Sequence, residues 1–149
     1  KGCRDLGAHA VVDHGKPMKQ QIEALRLPPV ALVASLTFTD QHYKAIAELM
    51  APQGKFGLID DPPEFTMSAF KGKAISVHWE SMFTRSSFQT PDMIAQHHLL
   101  DDVADLIDKG VLRTTLDQTF GPINAANLKR AHALLESGKS RGKIVLEGW

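Results

Sequence analysis

Few side chains in this sequence have a type and spacing that point to chemistry. Asp60 and Asp61 are adjacent carboxylates, the arrangement that could share a proton or hold a cation. Neighbouring residues on an extended chain point to opposite faces, and Pro62-Pro63 marks a turn directly after them. A joint catalytic or metal role is therefore not expected of the pair. The chain has seven histidines, with His97-His98 adjacent and His42, His78 and His132 scattered. Adjacent helical positions diverge by about 100°, and no H-E-x-x-H or Cys/His spacing accompanies them, so no metal site is expected. Ser86, Ser87, Ser137 and Ser140 lie in no G-x-S-x-G elbow, which leaves a serine nucleophile without support. The run Gly138-Lys139-Ser140-Arg141-Gly142-Lys143 places three cations within five residues. It could grip a phosphate, although a solvated turn is the commoner origin of such a run. The phosphate signature G-x-G-x-x-G is absent from the chain.

Alternating strands and helices must position whatever these residues do. The opening Lys1 to Gly7 reads as the last turn of a helix with a glycine cap; since the first residue is Lys rather than Met, an upstream segment is expected. His9 to Asp13 is a short β-branched run, and Pro17 suits the first turn of a helix carrying Met18, Ile22 and Leu25 on one face. After Pro28-Pro29, Val30 to Ser35 is almost continuously apolar, the mark of a strand covered on both faces in a parallel sheet. Asp40 can cap the next helix, where Tyr43, Ile46, Ala47 and Met50 share a face before Pro52-Gln53-Gly54. Lys55 to Ile59 follows as a strand. Asp60 to Gly72 reads as a loop, and Lys73 to Trp79 as another strand. Residues 91 to 109 read as one long helix with Pro91 and Asp92 in its first turn, Met93, Leu100, Val103, Ala104 and Ile107 on one face, and its acidic residues outward. A strand over Val111 to Leu116 leads through Gly121-Pro122 to a helix capped by Asn124 and ended by Gly138, with a final strand over Lys143 to Leu146. Strand and helix alternating with short connections is the signature of right-handed βαβ units, so the fold class is α/β, a doubly wound parallel sheet.

In such a sheet ligands bind outside the carboxyl ends of the strands. Those ends are Ser35-Leu36-Thr37-Phe38-Thr39, Asp60-Asp61-Pro62 and His78-Trp79-Glu80. Hydroxyls and exposed backbone amides beside a flat aromatic fit a planar heterocycle better than a phosphate. The same residue types also serve as ordinary turns and helix caps, and spacing alone leaves both origins open.

Composition narrows the partners. With 149 residues and 43% hydrophobic content the chain can bury one ordinary core. Seventeen basic residues balance seventeen acidic ones, so no summed field attracts nucleic acid or an anionic membrane surface; a small uncharged ligand or a mixed-charge cofactor is favoured. One cysteine, Cys3, excludes an internal disulfide and a multi-cysteine zinc site made by this chain alone, which suits a reducing cytoplasm. No apolar run approaches the roughly 20 residues needed to cross a bilayer and no signal peptide opens the chain, so a soluble cytoplasmic protein is expected.

The stretches Leu6 to His14, Gly72 to Glu80, Met82-Phe83-Thr84-Arg85 through Leu116, His132 to Gly138 and Gly142 to Leu146 resemble, in order, the medium-chain dehydrogenase/reductase superfamily. Within it the similarity is to the quinone oxidoreductase-like branch, often labelled zinc-type alcohol dehydrogenase-like. The resemblance implies that residues 1–90 form a partial Rossmann NAD(P)-binding domain with its first βαβ unit missing. It further implies that residues 91–149 form a C-terminal helix and return segment to a GroES-like catalytic domain. The implied cofactor is NADPH or NADH; zinc belongs to some members of the family but would not be ligated by this chain. His14, Thr37 and Thr39 would approach the cofactor, Ile59, Asp60, Asp61, Val77, His78 and Trp79 would line its nicotinamide side, and Lys143 would lie near its phosphates. Family members often carry a smaller residue at the position of Trp79.

The activity this implies is hydride transfer between the nicotinamide and a quinone, enone, aldehyde or alcohol, with the cofactor performing the chemistry and the protein aligning it. The competing expectation is a non-catalytic α/β binding or interaction module, inactive as an isolated segment. A small-molecule substrate and a homodimer are expected as partners; nucleic acid and membrane are not.

Overall fold

A computed structural model describes residues 2–149. The chain divides into two compact units, Lys1–Met93 and Ile94–Trp149.

The first unit opens with the short helix α1 (Gly2–Asp5), after which Gly7 turns at φ 102°. Residues 9–13 do not form the expected strand. The β-branched Val11 and Val12 favour extended backbone, but a strand exists only where a neighbour supplies ladder partners, and among the described residues none pairs with them. Instead the backbone N–H of Asp13 donates to Gln21 Oε1 at 2.9 Å, tying this stretch to α2 (Met18–Ala24). The following strand, β1 (Val30–Ser35), leads into α3 (Thr39–Leu49), and β2 (Met50–Leu58) leads through α4 (Ser68–Lys71) to β3 (Ser76–Trp79). The three strands form a parallel sheet in the order β1-β2-β3.

Parallel pairing with a helix between β1 and β2 follows from the sequence alternation, but two details differ from expectation. Met50 leaves the helix and starts β2, where a widened bulge lets Met50 face Val30 and Lys55 face Leu32. Gly54 permits this: a Cβ there would lie 2.8 Å from the Ala31 carbonyl oxygen and 3.1 Å from that of Ala51. Lys73 closes the bulge from the other side. Its Nζ donates to the carbonyls of Glu48 at 2.6 Å and Met50 at 2.7 Å, and its own carbonyl accepts from Gln53 N at 2.7 Å. Lys73 is thus spent on the bulge and lies outside the β3 ladder.

The second correction concerns burial. Val33 and Ser35 of β1 turn inward, whereas Leu32 is 72% exposed, so within these residues the strand is covered on one face and not on both. The core lies on the covered face, where Tyr43, Ala47, Met50, Phe56, Leu58, Phe70 and Ile75 are buried and Val33, Ile46, Phe65 and Val77 pack against them. Its centre is aromatic: Phe56 stacks on Phe70 at 4.9 Å, and Phe65 meets Tyr43 edge-on at 5.3 Å.

After β3 the chain forms a further short helix, α5 (Thr84–Phe88), in residues to which the sequence assigned no element, whereas α4 falls within Asp60 to Gly72, the stretch expected to be a loop. Pro91 and Asp92 do not begin a helix. Asp92 accepts from Thr90 Oγ1 at 2.7 Å and from Arg85 Nε at 3.0 Å, so that turn is clasped to α5.

The second unit begins with α6 (Ala95–Asp108), whose acidic residues Asp101, Asp102, Asp105 and Asp108 are exposed as expected. Its end consumes residues assigned to the next strand: Gly110 turns at φ 69°, and the N–H groups of Val111 and Leu112 return to the Leu106 carbonyl at 2.9 and 3.1 Å. The strand therefore starts later, as β4 (Leu116–Thr119). It is followed by α7 (Ala125–Glu136), capped as expected by Asn124, whose side chain accepts from Asn127 N at 2.9 Å. Gly138 ends α7 at φ 66°. The last strand, β5 (Lys143–Val145), pairs parallel with β4. Gly142 sits at φ 57°, and a Cβ there would run into the Thr115 carbonyl oxygen. No helix among the described residues is long and apolar enough to cross a membrane.

Candidate functional site

The three parallel strands end together. Ser35 stands opposite Leu58, and Leu58 opposite Trp79. The ladder continues one step beyond each end, with Ile59 N donating to the Ser35 carbonyl at 3.2 Å and Glu80 N to the Leu58 carbonyl at 3.0 Å. Ile59 and Glu80 are thereby fixed side by side at one rim, where parallel α/β sheets place their ligands.

Beneath the rim, Ser35, Thr39 and Asp60 form a closed hydrogen-bonded group. Ser35 Oγ and Thr39 Oγ1 lie 2.6 Å apart, both residues being buried. Thr39 donates its backbone N–H to Asp60 Oδ2 at 3.0 Å and its hydroxyl to Asp60 Oδ1. The N-terminus of α3 is therefore capped from across the sheet by Asp60, and not by Asp40, because Phe38 precedes the helix in the left-handed region at φ 53° with no side-chain cap of its own. The Thr39 hydroxyl, assisted by its N–H and opposed by partial desolvation, holds the Asp60 carboxyl below the usual carboxylate range.

Above the rim is a cleft of about 340 Å³ lined by Ile59, Asp61, Trp79, Glu80, Ser81, Met82 and Phe83. Its walls are a flat indole, a phenyl ring and aliphatic side chains, with one hydroxyl and two carboxylates. Trp79 is 58% exposed, yet its indole is anchored by an edge contact with Phe65 at 6.0 Å, which connects it to the aromatic core. A second cleft of about 230 Å³ shares Trp79, Glu80 and Ser81 and adds Thr84, Arg85, Thr90 and Asp92. There the one cation, Arg85, is committed to Asp92.

Of the residues singled out in the sequence, Ile59, Asp61 and Trp79 meet in the larger cleft. Thr37 is exposed on the turn after β1, and His78 is exposed on β3, where its neighbour Val77 faces the core, as strand alternation requires. Thr39 has no exposed surface and Asp60 has both oxygens on Thr39, so these two shape the rim from below. His14 is exposed in the turn before α2. Lys143 opens β5 in the second unit, exposed, with its N–H on the Thr115 carbonyl at 2.7 Å. Sequence reasoning did not single out Ser81, Met82 and Phe83 as site residues; two large apolar residues directly after a strand end are the signal that could have found them.

The cleft can seat a flat, largely apolar ring, with an aromatic wall for stacking and Ser81 as a polar partner. It does not suit a metal, and among the described residues no three His, Cys, Asp or Glu side chains converge in a way that could hold one.

Comparison with known proteins agrees with this architecture. A family model described as zinc-binding dehydrogenase matches residues 6–146. A zinc-type alcohol dehydrogenase-like protein of Staphylococcus aureus (strain MSSA476) is 32% identical over 145 residues, covering 97% of this chain and 43% of that protein. A crystal structure of a provisionally assigned zinc-dependent alcohol dehydrogenase from Rhizobium etli CFN 42 superposes with a TM-score of 0.90 at 57% identity, over 98% of this chain and 43% of that one. An NAD-dependent alcohol dehydrogenase superposes at 0.73 with 18% identity over 99% of this chain and 40% of that one, which shows the shared fold alone. The chain thus spans less than half the length of the relatives it matches. Its ordered match over residues 6–146 and its parallel sheet together establish that the chain belongs to the zinc-binding dehydrogenase family of medium-chain dehydrogenase/reductases.

Proposed function

We propose that this chain is the nicotinamide-facing part of an NAD(P)H-dependent oxidoreductase acting on a quinone, enone, aldehyde or alcohol. The observation that carries the reading is the single rim at which three parallel strands end beneath a cleft walled by Trp79. A nicotinamide, when bound, supplies or accepts the hydride. The chain's own residues orient and enclose it: Ile59 and Trp79 give a flat apolar bed, Ser81 a hydroxyl for the carboxamide, and the Ser35–Thr39–Asp60 group holds the underlying strand ends at fixed spacing. Residues 1–90 act as part of a nucleotide-binding domain and 91–149 as the return to a catalytic domain. Zinc has no ligands in this reading among the described residues, and no step is assigned to it.

The dinucleotide's pyrophosphate is normally held at a glycine-rich turn and helix N-terminus, and G-x-G-x-x-G is absent from these 149 residues. This chain by itself should therefore bind NADPH weakly, and a full-length protein carrying it should bind tightly. The test is steady-state reduction of quinone, enone and aldehyde panels by that full-length protein with NADH and with NADPH, beside its Trp79→Ala variant. Turnover that falls at least tenfold in the variant supports the reading, and turnover insensitive to Trp79 contradicts it. In the same reading the protein is a homodimer, through an open edge of the β1-β2-β3 sheet, and light scattering that finds only monomer would exclude this.

A further inference from the structure

We infer that the cleft above the rim selects a planar cation, so that it binds the oxidised, pyridinium form of a nicotinamide in preference to the neutral reduced ring. The inference rests on the nicotinamide reading above and adds to it the charge state that the chain's own residues favour. Every charged side chain lining the cleft, Asp61 and Glu80, is a carboxylate. Neither forms an ion pair with a described residue, and the cation lining the adjoining cleft, Arg85, is already held by Asp92 at 3.0 Å. The remaining walls are apolar or aromatic, and the indole of Trp79 presents a ring face that attracts positive charge. A phosphate or carboxylate entering here would meet two unneutralised negative charges. A flat ring carrying a positive charge would meet two attractive charges and a π-face, at a strand-end rim that already fits a planar heterocycle. A neutral ring of the same shape keeps the stacking and loses the charge attraction. Each carboxylate at the mouth of a solvated cleft contributes about threefold to the preference, or about tenfold for the two together.

The experiment uses this 149-residue chain, with 1-methylnicotinamide as the cation and nicotinamide as its neutral counterpart at pH 7, read by the indole N–H resonance of Trp79. A Trp149→Phe variant assigns that resonance, since the chain has two tryptophans. The expected result is a dissociation constant about tenfold lower for the cation, falling to within about twofold of the neutral ring in the Asp61→Asn/Glu80→Gln double variant. Both side chains are exposed, and an unchanged amide spectrum shows that the variant keeps its fold. Equal affinity for the two rings in the parent chain overturns the charge inference while leaving the nicotinamide reading standing, as does a preference that survives the double variant. No perturbation of Trp79 by either ring overturns both.

Discussion

The carboxylate of Asp60, at the end of β2, accepts the backbone N–H of Thr39 at the start of α3 at 3.0 Å, so a residue twenty-one positions away caps the helix. Replacing it removes the partner of an otherwise orphaned N–H as well as one of the two partners of a buried hydroxyl, which keeps Ser35 Oγ. Asp60→Ala is expected to lower the unfolding free energy at pH 7 by about 1 kcal/mol, the usual cost of a lost cap, as measured by urea denaturation.

The same carboxyl gives a pH dependence. Its pKa in the folded chain lies below the unfolded value of about 3.9, so its contribution is fully present above that value and is lost as pH falls through the folded pKa. Stability of the parent chain should decline below about pH 4, and the decline should be shallower in Asp60→Ala. Identical acid slopes for the two chains would show that Asp60 is not the group responsible.

Phe56 has no exposed surface and stacks on Phe70, while Phe65 joins that stack to Trp79. Phe56→Ala leaves a cavity at the centre of the first unit and is expected to cost about 3–5 kcal/mol. That is a large share of the stability of an ordinary domain. Near-ultraviolet circular dichroism should show the aromatic signal lost or its thermal midpoint sharply lowered.

The bulge in β2 depends on a missing side chain and a long one. Gly54→Ala would press a methyl group against the carbonyl oxygens of Ala31 and Ala51, a clash with backbone that costs about 1–3 kcal/mol. Lys73→Met keeps the aliphatic stem and removes the donor to the carbonyls of Glu48 and Met50, for a loss of about 1–3 kcal/mol. Both variants should shift the denaturation midpoint of the first unit, and near-wild-type midpoints would refute this account of the bulge.

In the second unit, Gly142→Ala combines a left-handed backbone with a collision against the Thr115 carbonyl. The variant should lose amide-exchange protection in β4 and β5 while the β1-β2-β3 sheet keeps its own, because the two units are separately compact. Loss of protection spread evenly over the chain would contradict this.

The parallel rim was legible in the sequence because Val30 to Ser35, Lys55 to Ile59 and the run ending at Trp79 are compact apolar stretches separated by helical or turn residues. The two short helices α4 and α5 were not, since four or five residues cannot display a 3.6-residue period. The Val11-Val12 run misled for the opposite reason: strand propensity is local, whereas a ladder needs a partner. The rim's supporting group was half visible. Ser35, Thr39 and Asp60 all stood at strand ends, but only the fold shows that Asp60 turns beneath the rim to serve Thr39 while Asp61, beside it, lines the cleft.

Trp79 belongs to two chambers at once, since it lines both clefts together with Glu80 and Ser81. Its ring also rests edge-on against Phe65, so a change in the aromatic core at Phe65 reaches both chambers through one residue.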